Sequence, residues 1–137
     1  MPTIAGVKET VLYVDDLPRA IGFYRDLLGL PVLVEDHRFC ALDVNGQHIL
    51  LLFLRGASTE TTTLPGGSIP PHDGSGPLHA GFAIEPSQLG EWERHLTANG
   101  VEILSYMNWP LGGKSLYFRD PDGHLLELLT PGVWRTF

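Results

Sequence analysis

The sequence predicts an α+β fold made of two βαβββ modules, each with a helix on one face of a curved mixed sheet and a cavity on the other. The first observation is that the order strand, helix, strand, strand, strand occurs twice along the chain. The second is a fixed offset between the copies: Glu9 corresponds to His79, 70 positions later, and Gly29 to Gly100, 71 positions later. Internal repetition of this kind is direct evidence of architecture.

The third observation is a change of composition between the two copies. Residues 56–77 are rich in Thr, Gly, Pro and Ser and show no sustained periodicity, which is typical of a loop. A loop of this length is often functional, and we expect a mobile linker that also covers a cleft. We therefore predict one domain over residues 1–137, with module one at 5–55, the loop at 56–77 and module two at 78–131.

Module one begins with a β-rich segment and continues with a helix whose start and end are marked. Asp15 and Asp16 offer an N-cap, Pro18 fits the first turn, and Gly29 provides the C-terminal stop. Asn45-Gly46 is a strong hairpin signal. The predicted strands are 6–14, 31–37, 39–44 and 48–54.

Module two repeats this pattern. Glu85-Pro86-Ser87 begins a helix that carries Leu89, Trp92 and Leu96 and stops near Asn99-Gly100. The predicted strands are 78–84, 101–106, 114–119 and 124–130, the last two being joined by a turn with the sequence DPDG.

Composition excludes several classes of protein. The 43% hydrophobic content is that of a globular chain that buries a core, and the net charge of -7 argues against a nucleic-acid partner, which needs a basic face. No apolar run approaches the roughly 18 residues of a membrane span. The first residues resemble no signal peptide, so we expect a cytoplasmic protein. Cys40 is the only cysteine, which excludes an internal disulfide, and we interpret it as a buried thiol.

Glu127 lies in the middle of the most apolar strand, within the sequence HLLELLT. An ionised carboxylate in a dry interior costs several kcal/mol, of order 3–5, unless a partner compensates it. Three outcomes are open: Glu127 is protonated, it is paired with a cation, or it binds a metal.

Strand alternation places three potential ligands on the concave side of the sheets. His79 shares a face with the small residues Gly81 and Ala83, Glu127 faces away from its leucine neighbours, and Glu9 lies opposite the apolar face of its strand. Carboxylate oxygens and imidazole nitrogens are ligands that divalent cations prefer. The alternative is an exposed Glu9 and a His79 that is only hydrogen-bonded.

Two segments carry a family resemblance. Residues 9–29, ETVLYVDDLPRAIGFYRDLLG, resemble the opening of the vicinal oxygen chelate superfamily, and residues 117–127, YFRDPDGHLLE, resemble its closing signature. That superfamily includes glyoxalase I, extradiol ring-cleaving dioxygenases, and the fosfomycin- and bleomycin-resistance proteins. The resemblance covers residues 6 to about 130 and implies a small-molecule substrate and a homodimer.

The resemblance also implies which residues bind a metal. The family's three ligands fall on Glu9, His79 and Glu127, a set that favours Fe, Mn, Ni or Zn. Glu9 stands where relatives usually carry His or Gln. The further Glu of glyoxalase I has no counterpart in residues 49–53. Residues 107–111 are neutral where fosfomycin enzymes carry a basic cation-binding loop, which argues against fosfomycin as substrate.

Three functions remain open at this stage. The first is a metal-dependent lyase or isomerase of glyoxalase type, in which the ion acts as a Lewis acid and Glu9 or Glu127 is the catalytic base. The second is an extradiol-type dioxygenase, and the third a metal-free protein that sequesters a ligand, like bleomycin-resistance proteins. Candidate substrate-binding residues are Tyr13, Tyr106, Trp109 and Lys114. His72 is an exposed loop histidine or a lid residue that reaches the site.

Overall fold

The computed structural model describes all residues from 1 to 137, which divide into two compact units, Met1–Gly76 and Pro77–Phe137. Each unit has a four-stranded mixed sheet with the same strand order and one helical segment. The α+β class and the duplicated βαβββ pattern are therefore confirmed. No helix is long and apolar enough to cross a membrane.

The first unit arranges its main sheet in the order β1-β4-β3-β2. Strand β1 is parallel to β4, and the other neighbours are antiparallel. Positive φ at Asn45 and Gly46 makes the tight β3–β4 turn, as the hairpin signal predicted. The strands are β1 Glu9–Val14, β2 Val32–Glu35, β3 Phe39–Val44 and β4 His48–Leu54.

The helix of the first unit starts where the sequence predicts. Asp16 accepts a hydrogen bond from the Arg19 backbone N–H at 3.0 Å, and Pro18 occupies the first turn. Helix α1 spans Leu17–Ile21 and continues as a π-helix over Gly22–Leu27. It buries Leu17, Ala20, Ile21 and Tyr24.

The segment predicted to be a loop without secondary structure contains a hairpin. Strands β5 Thr62–Leu64 and β6 Gly67–Ile69 pair antiparallel, with Thr63 opposite Ser68. The expectation is wrong for these residues because three-residue strands are too short to produce a period in the sequence.

The second unit arranges its sheet in the order β7-β10-β9-β8, again with its first and last strands parallel. A 3₁₀ turn at Pro86–Gln88 leads into helix α2, Leu89–Ala98, which ends at Asn99. The strands are β7 His79–Ala83, β8 Ser105–Asn108, β9 Lys114–Arg119 and β10 Leu125–Leu129. The predicted strand 101–106 starts four residues later because pairing with β9 sets its position.

The turn between β9 and β10 is fixed by one carboxylate. Asp120 Oδ1 accepts hydrogen bonds from the backbone N–H groups of Asp122 at 2.9 Å and His124 at 2.8 Å. Gly123 supplies a φ of +84°. The His124 ring is fully buried, and its Nδ1 accepts a hydrogen bond from the Leu78 N–H. These contacts set the start of β10 and hence the placement of its side chains.

The two parallel strand pairs have the same register. Glu9 lies opposite Ile49 as His79 lies opposite Leu125, so two residues further along Leu51 of the first unit corresponds to Glu127 of the second. The position without a carboxylate that the sequence indicated is therefore Leu51.

Candidate metal centre

Glu127 occupies the centre of β10, between β7 and β9. Its neighbours Leu126 and Leu128 are almost fully buried, on the opposite face of the strand. Glu127 itself is only 7% exposed. A carboxylate that is this buried needs partners for both oxygens.

One oxygen of Glu127 faces the imidazole of His79. The His79 Nδ1 lies 2.8 Å from the carbonyl oxygen of Leu125, and its Nε2 lies 3.3 Å from Glu127 Oε1. Since a carbonyl only accepts, Nδ1 carries the proton and donates it. In the neutral ring Nε2 then carries a lone pair, which faces Glu127 Oε1. A cation, either a proton or a metal ion, is required between these two atoms.

The other oxygen of Glu127 is held by a chain of donors. Ser115 Oγ donates to Glu127 Oε2 at 2.5 Å and accepts from Trp109 Nε1 at 2.8 Å. Ser115 is almost completely buried. The chain fixes the orientation of the carboxylate and leaves Oε1 directed towards His79.

Tyr117 and Gly81 flank Glu127 on the neighbouring strands. Burial raises the pKa of Tyr117, as do the charge of Glu127 and a hydrogen bond to it, whereas a hydrogen bond with Ser115 lowers this pKa. The His79 and Tyr117 rings lie nearly parallel, with centroids 6.5 Å apart. A Cβ at Gly81 would lie 3.0 Å from a Leu129 methyl, so a larger residue there would crowd the carboxylate's surroundings.

The donor set of the second unit fits two ligands of a divalent ion. Two ligand atoms that each lie about 2.1 Å from one ion are about 3.0 Å apart at a right angle and about 3.4 Å apart at the tetrahedral angle. The 3.3 Å between His79 Nε2 and Glu127 Oε1 lies within that interval. Donation of the second ring N–H to a carbonyl is also the usual arrangement for a metal-binding histidine.

Glu9, the third predicted ligand, belongs to the first unit. Its side chain is exposed, and it lines a cleft of about 680 Å³ together with Val11 and Tyr13 of the same strand. Glu9 therefore faces the side of the sheet that strand alternation predicts. Neither unit assembles three His, Cys, Asp or Glu side chains that could hold a metal by themselves.

The segment after β4 folds back over this cleft. His72 Nδ1 lies 2.8 Å from the Tyr13 hydroxyl, and its ring meets Phe53 edge-on at 4.6 Å. The hydroxyl of Ser58 donates to the His72 carbonyl at 2.7 Å, and Arg38 donates to Thr62 Oγ1 at 3.0 Å. His72 is thus a partly buried residue of the cleft wall and not an exposed loop histidine.

Two predicted substrate-binding residues lie on the opposite sheet face from Glu127. Tyr106 pairs with Leu116, which belongs to the helix-facing side, and it hydrogen-bonds Glu93 of α2. Lys114 is exposed on that same side, since its neighbour Ser115 points to Glu127. Trp109, a third predicted substrate-binding residue, donates a hydrogen bond to Ser115 and through it is linked to Glu127.

Cys40 has no role in the centre. It is fully buried, and burial is the main cause that raises the pKa of its thiol to about 11, with a smaller contribution from Glu35 that Arg25 opposes. The thiolate required of a nucleophile is therefore disfavoured near neutral pH.

Comparison with known proteins identifies the family. The sequence model of the glyoxalase/bleomycin resistance protein/dioxygenase superfamily matches residues 6–128. The chain belongs to this superfamily.

Two relatives within it are metallothiol transferases FosB. The chain is 31% identical over 128 residues to that of Staphylococcus saprophyticus, covering 93% of this chain and 78% of the relative. It is 31% identical over 132 residues to that of Bacillus licheniformis, with coverages of 96% and 79%. Among solved structures, a lactoylglutathione lyase from Agrobacterium tumefaciens is similar with a TM-score of 0.88 and 30% identity, over 98% of this chain and 99% of that one.

The sequence did not identify Ser115 and Tyr117 as neighbours of Glu127. Both lie on β9 and surround Glu127, but a serine and a tyrosine in an apolar strand carry no ligand signal of their own. Their alternation with Leu116 and Phe118 does place them on one face. Pairing β9 with β10 in the correct register would have found them. Thiol transfer, the activity in the names of the two relatives, was also not among the functions considered.

Proposed function

We propose that this chain is a metal-dependent enzyme in which His79, Glu127 and Glu9 bind one divalent ion, Fe, Mn, Ni or Zn. The ion would supply Lewis-acid polarisation to two adjacent oxygens of a small substrate. The observation that carries the proposal is the His79–Glu127 pair, whose facing atoms are 3.3 Å apart while their outer atoms are held by Leu125 and Ser115.

The chemistry we favour is that of a glyoxalase-type lyase or isomerase. Such a reaction moves a proton within the substrate and needs a base, for which Glu9 and Glu127 were the candidates. Glu127 is buried and anchored through Ser115 and Tyr117. The Glu9 side chain is exposed. We therefore assign proton transfer to Glu9 and the fixed ligand role to Glu127, because Ser115 and His79 already engage the two oxygens of Glu127.

A second candidate is the transfer of a thiol to a small oxygen-bearing substrate. It is favoured by the similarity to two proteins named metallothiol transferase at 31% identity. Both candidates use the same ion and the same fixed ligands. They differ in whether a free thiol is consumed.

The first experiment is metal analysis of protein purified without chelators. We expect one ion for each set of the three ligands, lost in Glu127→Gln and in His79→Ala. Glu102→Gln and His95→Ala are the matched controls, because these side chains are exposed and lie outside the candidate centre. A wild-type protein that binds none of the four metals, as judged by content and by thermal stabilisation, would overturn the proposal and favour a ligand-sequestering protein.

The second experiment separates the reactions in the metal-loaded protein. Isomerisation of a hemithioacetal supports the lyase or isomerase, and loss of free thiol without isomerisation supports transfer. Oxygen uptake with catechols would instead support the dioxygenase. Glu9→Gln is expected to lower kcat by at least about 100-fold for a reaction that needs the base, since general base catalysis contributes a factor of this order.

A further inference from the structure

We infer that the cleft of the first unit binds an uncharged aryl group, so that the substrate carries a benzene-sized ring beside its two oxygens. The identification of this ligand as a substrate rests on the proposed function. The cleft itself does not, because its walls lie within Met1–Gly76.

The size of the cleft suits such a ligand. About 680 Å³ lies within the range of roughly 300–1,000 Å³ that is usual for small-molecule sites. This volume lies between the sheet and the β5–β6 hairpin, whose Leu64 and Ile69 line it.

The wall of the cleft is aromatic. Phe39 and Phe53 stack with their centroids 5.3 Å apart and an interplanar angle of 18°, and His72 meets Phe53 edge-on. Aromatic surfaces offer an added ring the offset or edge-to-face contacts that such rings prefer. The Tyr13 hydroxyl lies 2.8 Å from His72 Nδ1 and holds the His72 ring in its place in the wall.

The floor of the cleft is apolar at the position where the second unit is charged. Leu51 corresponds to Glu127 in the strand register, and Leu51 lines the cleft with Val11, which corresponds to Gly81. At equivalent positions the duplicated scaffold therefore presents a carboxylate in the second unit and an apolar surface in the first.

The charges around the cleft disfavour an anionic ligand. Three carboxylates line it, from Glu9, Asp36 and Glu60, against the single guanidinium of Arg38. Arg38 is moreover engaged with Thr62, while Asp36 accepts two backbone hydrogen bonds. A ring that carries a carboxylate would meet a net negative surface.

The test compares mandelamide with lactamide, two uncharged compounds with adjacent oxygens that differ only in a phenyl group against a methyl group. Affinities are measured by calorimetry on the full chain, with and without a chelator. We expect mandelamide to bind at least about tenfold more tightly, because the ring adds apolar area removed from water. Mandelate, which carries a carboxylate, is expected to bind more weakly than mandelamide in the chelator-treated protein.

Variants locate the ring. Leu51→Gln and Leu64→Ser are each expected to abolish the preference for mandelamide, whereas Leu33→Gln, at an exposed position outside the cleft, leaves it unchanged. Leu64 is 53% exposed, so its variant remains informative if Leu51→Gln fails to fold. Equal affinities for the two amides, or a preference that both cleft variants retain, would overturn the inference. A preference that persists in chelator while metal binding and activity are absent would overturn the proposed function alone.

Discussion

Substitution of Ser115 by Ala tests the arrangement of the candidate centre most directly. The hydroxyl of Ser115 makes two hydrogen bonds, to Glu127 Oε2 at 2.5 Å and from Trp109 Nε1 at 2.8 Å, and Ser115 is only 1% exposed. Alanine removes both and leaves a buried carboxylate oxygen without this donor. The change of volume is a single oxygen atom, so packing is otherwise preserved.

The magnitude follows from the two bonds. A hydrogen bond to a charged group contributes about 1.5–3 kcal/mol and a neutral one about 0.5–1.5 kcal/mol. Trp109 is only half-buried, so water can satisfy its N–H in the variant. We therefore expect the free energy of unfolding to fall by about 2–3 kcal/mol. Loss of such an outer partner should also weaken metal binding by about 10–100-fold.

The assays are urea unfolding in the presence of chelator and calorimetric titration with the metal found in the purified protein. Ser105→Ala is the matched control, because Ser105 is exposed on β8 opposite Tyr117 and has no contact with Glu127. A bound ion stabilises the folded state by RT ln(1 + c/Kd), where c is the free ion concentration, so a weaker metal affinity in the variant should widen its difference from the wild type when metal is added. A Ser115→Ala protein as stable as Ser105→Ala, with unchanged metal affinity, would refute this account.

Three further outcomes are expected. Gly113→Ala should lower the free energy of unfolding by at least about 2 kcal/mol, because a Cβ there would lie 2.5 Å from the backbone of Gly132. Gly66→Ala is the control: its Cβ would meet nothing within 4 Å, so it should have little effect in the same urea titration. Cys40 should resist thiol reagents until the chain unfolds. Burial raises the pKa of its thiol from 9.0 to about 11, so the contribution of Cys40 to stability is complete below pH 9 and is lost as the pH rises towards 11. Cys40→Ala should therefore flatten the pH dependence of the free energy of unfolding between pH 9 and 11. Tyr13→Phe should remove the hydrogen bond to His72 and lower the free energy of unfolding by about 1 kcal/mol. It should also speed amide exchange in residues 56–76, and unchanged exchange there would contradict the anchoring role of Tyr13.

Much of the fold was predictable because its local signals agree with each other. Asp16 and Pro18 set the start of α1, Asn45 and Gly46 set the β3–β4 turn, and the positions of β3, β4 and β9 match their predicted bounds. The exceptions are segments that are determined by a partner strand. The hairpin in residues 62–69 and the shifted start of β8 depend on pairing across the chain, which local pattern does not contain.

The candidate centre was predictable at the level of faces. Alternation placed Glu9 on the cleft side of its strand and His79 on the side of Glu127. The substrate-binding roles predicted for Tyr106 and Lys114 rested only on residue type and on position in the sequence. The structure places both residues on the helix-facing side of the sheet. Residue type without register does not determine which side of a sheet a residue reaches.

The sequence by itself determined the duplicated α+β architecture, the superfamily and the candidate metal-binding residues. The repeat and the alternation of side chains along each strand can both be read from the order of the residues. Only the tertiary structure decided which side chains surround Glu127. Its partners come from two strands that are far apart in the sequence, His79 from β7 and Ser115 and Tyr117 from β9. They meet Glu127 only when β7 and β9 pair with β10 in one particular register. A hydrogen bond depends on distances of a few tenths of an ångström, and those are set by the pairing of strands and not by the spacing of residues along the chain.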